Sequence, residues 1–199
     1  MQVGLIGAGN MARALARGWA EPVLCSDGGS GRAQALADEL GGRALGNVEV
    51  AREADLIVLC HKPAQFDDVA AQLAPHARAV ASVLGATSIS QLQAAFGATP
   101  VFRMMPNTPV EIRQGVVCYA PAPEADPGVE KSVLDLFGRL GSVITVPEAL
   151  LNPASAIMGV GPAYQALVTE AQVDAGVRHG LAPALAGRLV AETMSGSAA

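Results

Sequence analysis

Six consecutive residues, Gly7-Ala8-Gly9-Asn10-Met11-Ala12, limit what this 199-residue chain can become more than any other feature. They follow the apolar run Val3-Gly4-Leu5-Ile6 and lead into Met11, Ala14, Leu15, Gly18 and Trp19 at helical spacing. Strand, glycine turn and helix in that order form the G-x-G-x-x-G/A fingerprint of a dinucleotide-binding βαβ unit, here with alanine in the third place. The first glycine permits the tight turn, and the second lets a pyrophosphate lie against the backbone. The small third residue keeps the helix close to the sheet. Free N–H groups and a partial positive charge at the helix start favour phosphate. Glycines also close purely structural turns, so the fingerprint has meaning only with a parallel sheet behind it.

The rest of the chain supplies that context. Short apolar runs at residues 23–26, 56–60, 79–83, 101–105, 115–119 and 143–146 alternate with helical patterns at 32–40, 64–73, 90–96 and 128–140. Alternating signals of this kind predict βαβ units and a parallel sheet covered on both faces, an α/β domain. The pattern changes after Val146. Residues 150–158, 163–180 and 183–197 read as helices, broken at residues 159–162 and 180–183, with Pro162 and Pro183 suited to the first turn of the helix that follows. Tyr164, Leu167, Val168, Ala171 and Ala175 share one face of the middle helix. About fifty helical residues cannot bury that stripe alone, so it must dock on the sheet domain or on another subunit.

Composition narrows the function classes. Hydrophobic residues make up 51% and charged residues 16%, which is enough apolar surface to exclude a disordered chain. The formal net charge of −5 argues against nucleic-acid or anionic-membrane binding. No apolar run reaches the roughly 18 residues of a membrane span. The chain enters its first strand directly, without a basic leader and cleavage site, so a cytoplasmic protein is expected. Cys25, Cys60 and Cys118 have no paired spacing and are expected to be reduced, buried thiols. The three histidines, His61, His76 and His179, show no ligand spacing, and no metal site is expected.

Several polar residues fall where a strand ends, the edge that borders the ligand crevice in such sheets. Asp27 stands near the position where an acidic group meets the adenosine ribose, which favours NAD. Ser26, Ser30 and Arg32 beside it suit a 2′-phosphate instead, and Asp27 also fits a turn before Gly28-Gly29. Lys62, in His61-Lys62-Pro63, can donate to a ribose or phosphate, or simply be solvated. Asn47 can cap a short helix over 48–52 or face the adenine end. Asn107 and Thr108, between Pro106 and Pro109, offer an amide and a hydroxyl on the substrate side, or satisfy a rigid turn. Glu170 and Asp174 read as a solvated helix face. No nucleophile, base or proton donor can be named as catalytic, an inventory that suits chemistry carried by a cofactor.

Residues 3–12, His61-Lys62-Pro63, Arg103-Met104-Met105-Pro106-Asn107-Thr108-Pro109 and Gly161-Pro162-Ala163-Tyr164 together resemble the pyrroline-5-carboxylate reductases. The resemblance runs the length of the chain, through Asp174-Ala175-Gly176-Val177 and the helix after Pro183. It implies a Rossmann-type NAD(P)-binding domain over 1–147 and an all-helical dimerisation domain over 148–199. It also implies reduction of the cyclic imine 1-pyrroline-5-carboxylate to proline, and a homodimer or larger homo-oligomer. By matching position, Ile6, Gly7, Ala8, Gly9, Asn10, Met11, Asp27, Asn47, Cys60, His61, Lys62 and Pro63 would line the cofactor, NADP or NAD. Ser82, Val83, Leu84 and Gly85 would meet its nicotinamide end.

Three departures qualify the resemblance. Met158 and Val160 stand where the family commonly has serines, and Val83-Leu84 makes the loop after the strand at 79–83 bulkier beside the nicotinamide. The family also continues past the equivalent of Ala199 into a Ser-Pro-Gly-Gly-Thr-Thr loop that helps hold the substrate carboxylate, so the helical domain is expected to be incomplete. Two rivals follow: a related NADP-dependent reductase of another imine, a hydroxyacid or a deazaflavin, and a non-catalytic dinucleotide-binding protein.

Overall fold

The structure, a computed structural model, describes residues 1–123 and 126–198. Eight strands form one sheet: β1 (Val3–Ile6), β2 (Leu24–Ser26), β3 (Arg43–Ala44), β4 (Leu56–Leu59), β5 (Val80–Ser82), β6 (Val101–Pro106), β7 (Gly115–Ala120) and β8 (Gly141–Thr145). Their order is β3-β2-β1-β4-β5-β6-β7-β8. β1 and β4 lie side by side inside the sheet, third and fourth in the order, and are buried along their whole length, as strands covered on both faces must be.

The helices of this sheet are α1 (Asn10–Trp19), α2 (Arg32–Leu40), α3 (Asn47–Glu53), α4 (Phe66–Leu73), α5 (Ile89–Phe96), α6 (Pro127–Gly138) and α7 (Leu151–Met158). Successive strand residues point to opposite faces, and the core divides accordingly. Leu5 and Val58 pack with α1, α2 and α6 through Leu15, Leu36 and Phe137. Ile6, Ile57 and Leu59 pack with α3, α4 and α5 through Val50, Leu73 and Leu92. On the first face the Trp19 indole donates to the Leu136 carbonyl at 3.0 Å and meets Phe137 edge-on, with ring centroids 5.6 Å apart.

The sheet differs from the all-parallel one expected, because β6 and β7 run antiparallel. Between them lies a short connection containing the 3₁₀ turn Thr108–Ile112, whereas a parallel pairing needs a crossover of a dozen or more residues. β7 and β8, joined through α6, are parallel. β3 was not expected at all; its two residues, one an exposed arginine, carry no apolar run.

The chain divides into two compact units, Met1–Gly159 and Val160–Ala199, and α7 belongs to the first. There Leu151 is wholly buried with Ile89, Cys118 and Ala120. The second unit consists of α8 (Gly161–Arg178) and α9 (Pro183–Ala198). α8 packs on α9 around Ala186 and Gly176, and the Thr169 hydroxyl lies 2.9 Å from the Met194 sulfur. No helix of the described residues is long and apolar enough to cross a membrane.

Candidate functional site

A cleft of about 410 Å³ opens at the C-terminal ends of β1, β2 and β4. Crossovers leave in opposite directions from the middle of such a sheet, and ligands bind in the crevice this creates. The walls are Ile6, Gly7, Ala8 and Gly9 after β1, and Asp27, Gly28, Ser30 and Arg32 after β2. Asn47 adds to them, with Cys60, His61, Lys62 and Pro63 after β4 and Gln65 and Val69 beyond.

The two fingerprint glycines are required for different reasons. Gly7 has φ +100°, and a Cβ there would lie 2.8 Å from the Cys60 carbonyl carbon and the His61 nitrogen. Its lack of a side chain lets the turn after β1 pass against the end of β4. Gly9 has ordinary extended backbone, and a Cβ there would meet nothing within 4 Å. No packing demands glycine at that place; the space beside it belongs to the cleft. Gly9 is also the N-cap of α1, with no side chain capping the helix and no acidic residue in its first turn. The start of the helix therefore keeps its affinity for an anion. Ala12 is wholly buried against the sheet.

The β2 side is organised by Asp27. Its carboxylate accepts from the Gly29 N–H at 2.8 Å, the Ser30 hydroxyl at 2.8 Å and the Ala33 N–H at 2.9 Å. The bond from Ala33, helped by those from Ser30 and Gly29 and opposed by burial, pulls its pKa down to about 2. Asp27 thus closes the turn and lines the cleft together. Arg32 and Lys62 take part in no ion pair among the described residues, leaving two free cations against one carboxylate in the walls.

Asn47 opens α3 and does not cap it. The cap is Gly46, whose N–H donates to the Glu49 carboxylate at 2.8 Å. The Asn47 amide instead accepts from the Ser26 hydroxyl at 2.7 Å and donates to Gln72 at 3.0 Å, which ties α3 to β2 and α4 behind the cleft. Burial pushes the Cys60 thiol up to about 12. His61 donates from Nδ1 to the Lys62 carbonyl at 2.9 Å, and its Nε2 is buried without a partner among the described residues. Burial lowers its pKa, an effect the bond to Lys62 partly offsets. The described residues contain no group of three or more His, Cys, Asp or Glu able to hold a metal ion.

The cleft does not gather every residue the sequence suggested. Asn10 and Met11 lie in the first turn of α1, outside its walls. Ser82 ends β5 and Val83, Leu84 and Gly85 follow it, all outside the cleft walls. Leu84 is buried in the core beside Ile6 and Leu92, so its bulk fills the interior rather than the crevice. The Asn107 amide is committed to the scaffold: it accepts from the Val116 N–H at 2.8 Å and donates to the Met158 carbonyl at 3.0 Å. Thr108 is exposed at the start of its 3₁₀ turn.

One cluster has no local signal in the sequence. Arg103 on β6 is buried and pairs with Glu148 at 2.5 Å, across 45 positions of chain. A lone arginine in an apolar run and a glutamate beyond the last strand give no spacing that would connect them.

Comparison with known proteins adds three findings. Residues 2–87 match the family described as NADP oxidoreductase coenzyme F420-dependent, and residues 148–199 match pyrroline-5-carboxylate reductase dimerisation. Pyrroline-5-carboxylate reductase of Synechocystis sp. is 34% identical over 208 residues, covering 100% of this chain and 78% of that protein. The Mycobacterium tuberculosis enzyme of the same name is 33% identical over 215 residues, covering 100% and 72%. Among solved structures, Plasmodium falciparum pyrroline carboxylate reductase with NADP bound superposes with a TM-score of 0.89 at 29% identity, covering 100% of this chain and 77% of that one.

Proposed function

The chain belongs to the pyrroline-5-carboxylate reductase family, and from that membership we infer that it reduces 1-pyrroline-5-carboxylate to proline with a nicotinamide dinucleotide as hydride donor. The observation that carries this reading is the open space beside Gly9 at the uncapped start of α1, inside a cleft whose free charged groups are two cations. A pyrophosphate fits that place sterically and electrostatically.

A reduced nicotinamide supplies the hydride; the protein binds, orients and excludes water. Gly7 and Gly9 set the approach of the backbone to the phosphates, and Lys62 stands at the end of β4 to donate to a phosphate or ribose. Ile6 and Val69 give the cleft apolar wall. A pyrroline nitrogen that already carries its proton makes the adjacent carbon electrophilic, so no side chain is assigned as proton donor. By family resemblance, Ser82, Val83, Leu84 and Gly85 form the loop at the nicotinamide end, with Leu84 packed into the core behind it.

We assign NADPH as the preferred cofactor. Asp27 would select NADH by accepting from both ribose hydroxyls, but its carboxylate is already occupied by Gly29, Ser30 and Ala33. Arg32 is unpaired in the same wall and suits the extra phosphate. The helical region, residues 148–199, serves homodimerisation. The test is NAD(P)H oxidation with 1-pyrroline-5-carboxylate, run with both cofactors. Cofactor binding without substrate-dependent oxidation would remove the assignment; equal kcat/KM for NADH and NADPH would remove only the preference.

A further inference from the structure

Arg103 is a charged side chain only 7% exposed, on a strand whose other residues are all apolar. Its guanidinium donates to Glu148 at 2.5 Å and to the Gly85 carbonyl at 3.3 Å, and its Nε has no partner among the described residues. The same Glu148 oxygen accepts from the Ile89 N–H at 2.7 Å, at the first residue of α5. Leu84 N–H, at the other end of the intervening segment, donates to the Ser82 hydroxyl at 3.3 Å. Residues 83–88 are thus fastened at both ends and in the middle, and the middle and rear fastenings both run through the Arg103–Glu148 pair.

As pure scaffold this is a poor solution. A buried guanidinium with an unmatched donor is costly, and apolar residues of similar volume commonly replace buried ion pairs without loss of stability. The segment it holds lies at the C-terminal end of β5, the strand next to β4. A dinucleotide with its adenosine at Asp27 and its pyrophosphate at Gly9 extends across β4 toward β5, each strand about 4.8 Å further along. Gly85 faces room there, since a Cβ would meet nothing within 4 Å.

We propose that Arg103, acting through Glu148 and the Gly85 carbonyl, is a positioning residue that holds residues 83–88 against the nicotinamide half of the cofactor. The proposal rests on the cofactor reading above. It separates the two halves of the ligand: the adenine end is bound by residues after β1, β2 and β4, and the reacting end is oriented by a loop that Arg103 keeps in place.

The experiment uses Arg103→Lys in the full chain. Lysine keeps the charge but is a point donor, unable to span two acceptors as the planar fork does. ADP-ribose and its 2′-phosphate, which lack nicotinamide, are titrated beside NADH and NADPH, and nicotinamide fluorescence of the bound cofactor is recorded. The fragments should bind within twofold of the unsubstituted chain. The advantage of the whole cofactor over its fragment should fall at least fivefold, with loss of the fluorescence change and a drop of tenfold or more in kcat. Equal weakening of fragment and cofactor, or no change in either, overturns the proposal. Glu148→Gln keeps an acceptor for Ile89 while removing the charge, and should move the same ratio in the same direction. If Arg103→Lys does not fold, an unchanged ratio in Glu148→Gln overturns the proposal. Failure of the unsubstituted chain to bind either fragment removes the cofactor reading, and this proposal with it.

Discussion

Gly7 and Gly9, two positions apart, make opposite predictions. Valine at Gly9 meets open space on backbone any residue adopts, so the variant should fold with an unchanged melting temperature. Its isopropyl group would occupy the pyrophosphate position, and dinucleotide affinity should fall by about 2 kcal/mol or more, read by fluorescence titration. Alanine at Gly7 meets the Cys60 carbonyl carbon at 2.8 Å with φ at +100°, and should cost about 2–4 kcal/mol of stability in thermal denaturation. If both variants lose affinity and both keep stability, the separation of roles is wrong. Asp27 makes a prediction in pH. Its folded pKa, about 2, lies below the unfolded value of 3.8, so its stabilisation is present above pH 3.8 and is lost as pH falls through 2. Asp27→Asn should lower stability on the order of 1–2 kcal/mol at pH 7, after allowance for solvent screening at a partly exposed site. Denaturant titrations should show that gap closing by pH 2; a gap that persists there would mean the carboxylate charge is not what holds the turn.

Whole elements depend on single polar side chains, and Asn107 is the clearest case. Its amide joins the start of the 3₁₀ turn to β7 through Val116 and to the end of α7 through Met158. Asn107→Ala leaves a half-buried N–H and a half-buried carbonyl without their partner, which should cost about 1–3 kcal/mol. Fragment binding should stay unchanged, because the cleft lies at other strands; weakened ADP-ribose binding in a folded variant would contradict that. From sequence this residue read equally as substrate ligand or turn. The choice turns on what lies across from it, and Val116 and Met158 are nine and 51 positions away. The same limit explains β6 and β7: their apolar runs were legible, their antiparallel pairing was not, since periodicity records burial and not direction. α2, at Arg32–Leu40, was legible to its ends because a glycine flanks it on each side and Leu36 and Ala37 mark its buried face. The cleft was legible where its walls follow strand ends, at Gly7, Asp27 and Cys60. It was illegible where a buried charge pair joins distant segments, as Arg103 joins Glu148.

The molecule as a whole carries an unfilled requirement in α8. Its 18 residues include none that is buried, and Tyr164, Leu167 and Val168 are 55%, 66% and 49% exposed. Leu185 and Leu189 on α9 are about half exposed as well. A two-helix unit of this size cannot supply a self-sufficient core, and each large apolar side chain left in water forgoes about 1.5–3 kcal/mol of burial. A symmetric pairing brings the same face from each chain together, so every residue of the stripe is covered twice by one contact. The match of residues 148–199 to a dimerisation family points to the same use of this surface. The expected species is therefore a dimer or larger assembly of the 20.1 kDa chain. Leu167→Asp places a carboxylate in the stripe on both partners, where burial and like charge oppose association together. Because Leu167 is two-thirds exposed within its own chain, the substitution should leave the α8–α9 hairpin intact. The cleft is lined by residues between Ile6 and Val69, and residues 83–88 belong to the same unit, apart from α8, so the dissociated variant should bind NADPH with unchanged affinity. Sedimentation and light scattering on both chains decide the matter. A monomeric unsubstituted chain with α8 and α9 protected from hydrogen exchange would show that the stripe needs no second copy, and a Leu167→Asp assembly of unchanged size would place the interface elsewhere.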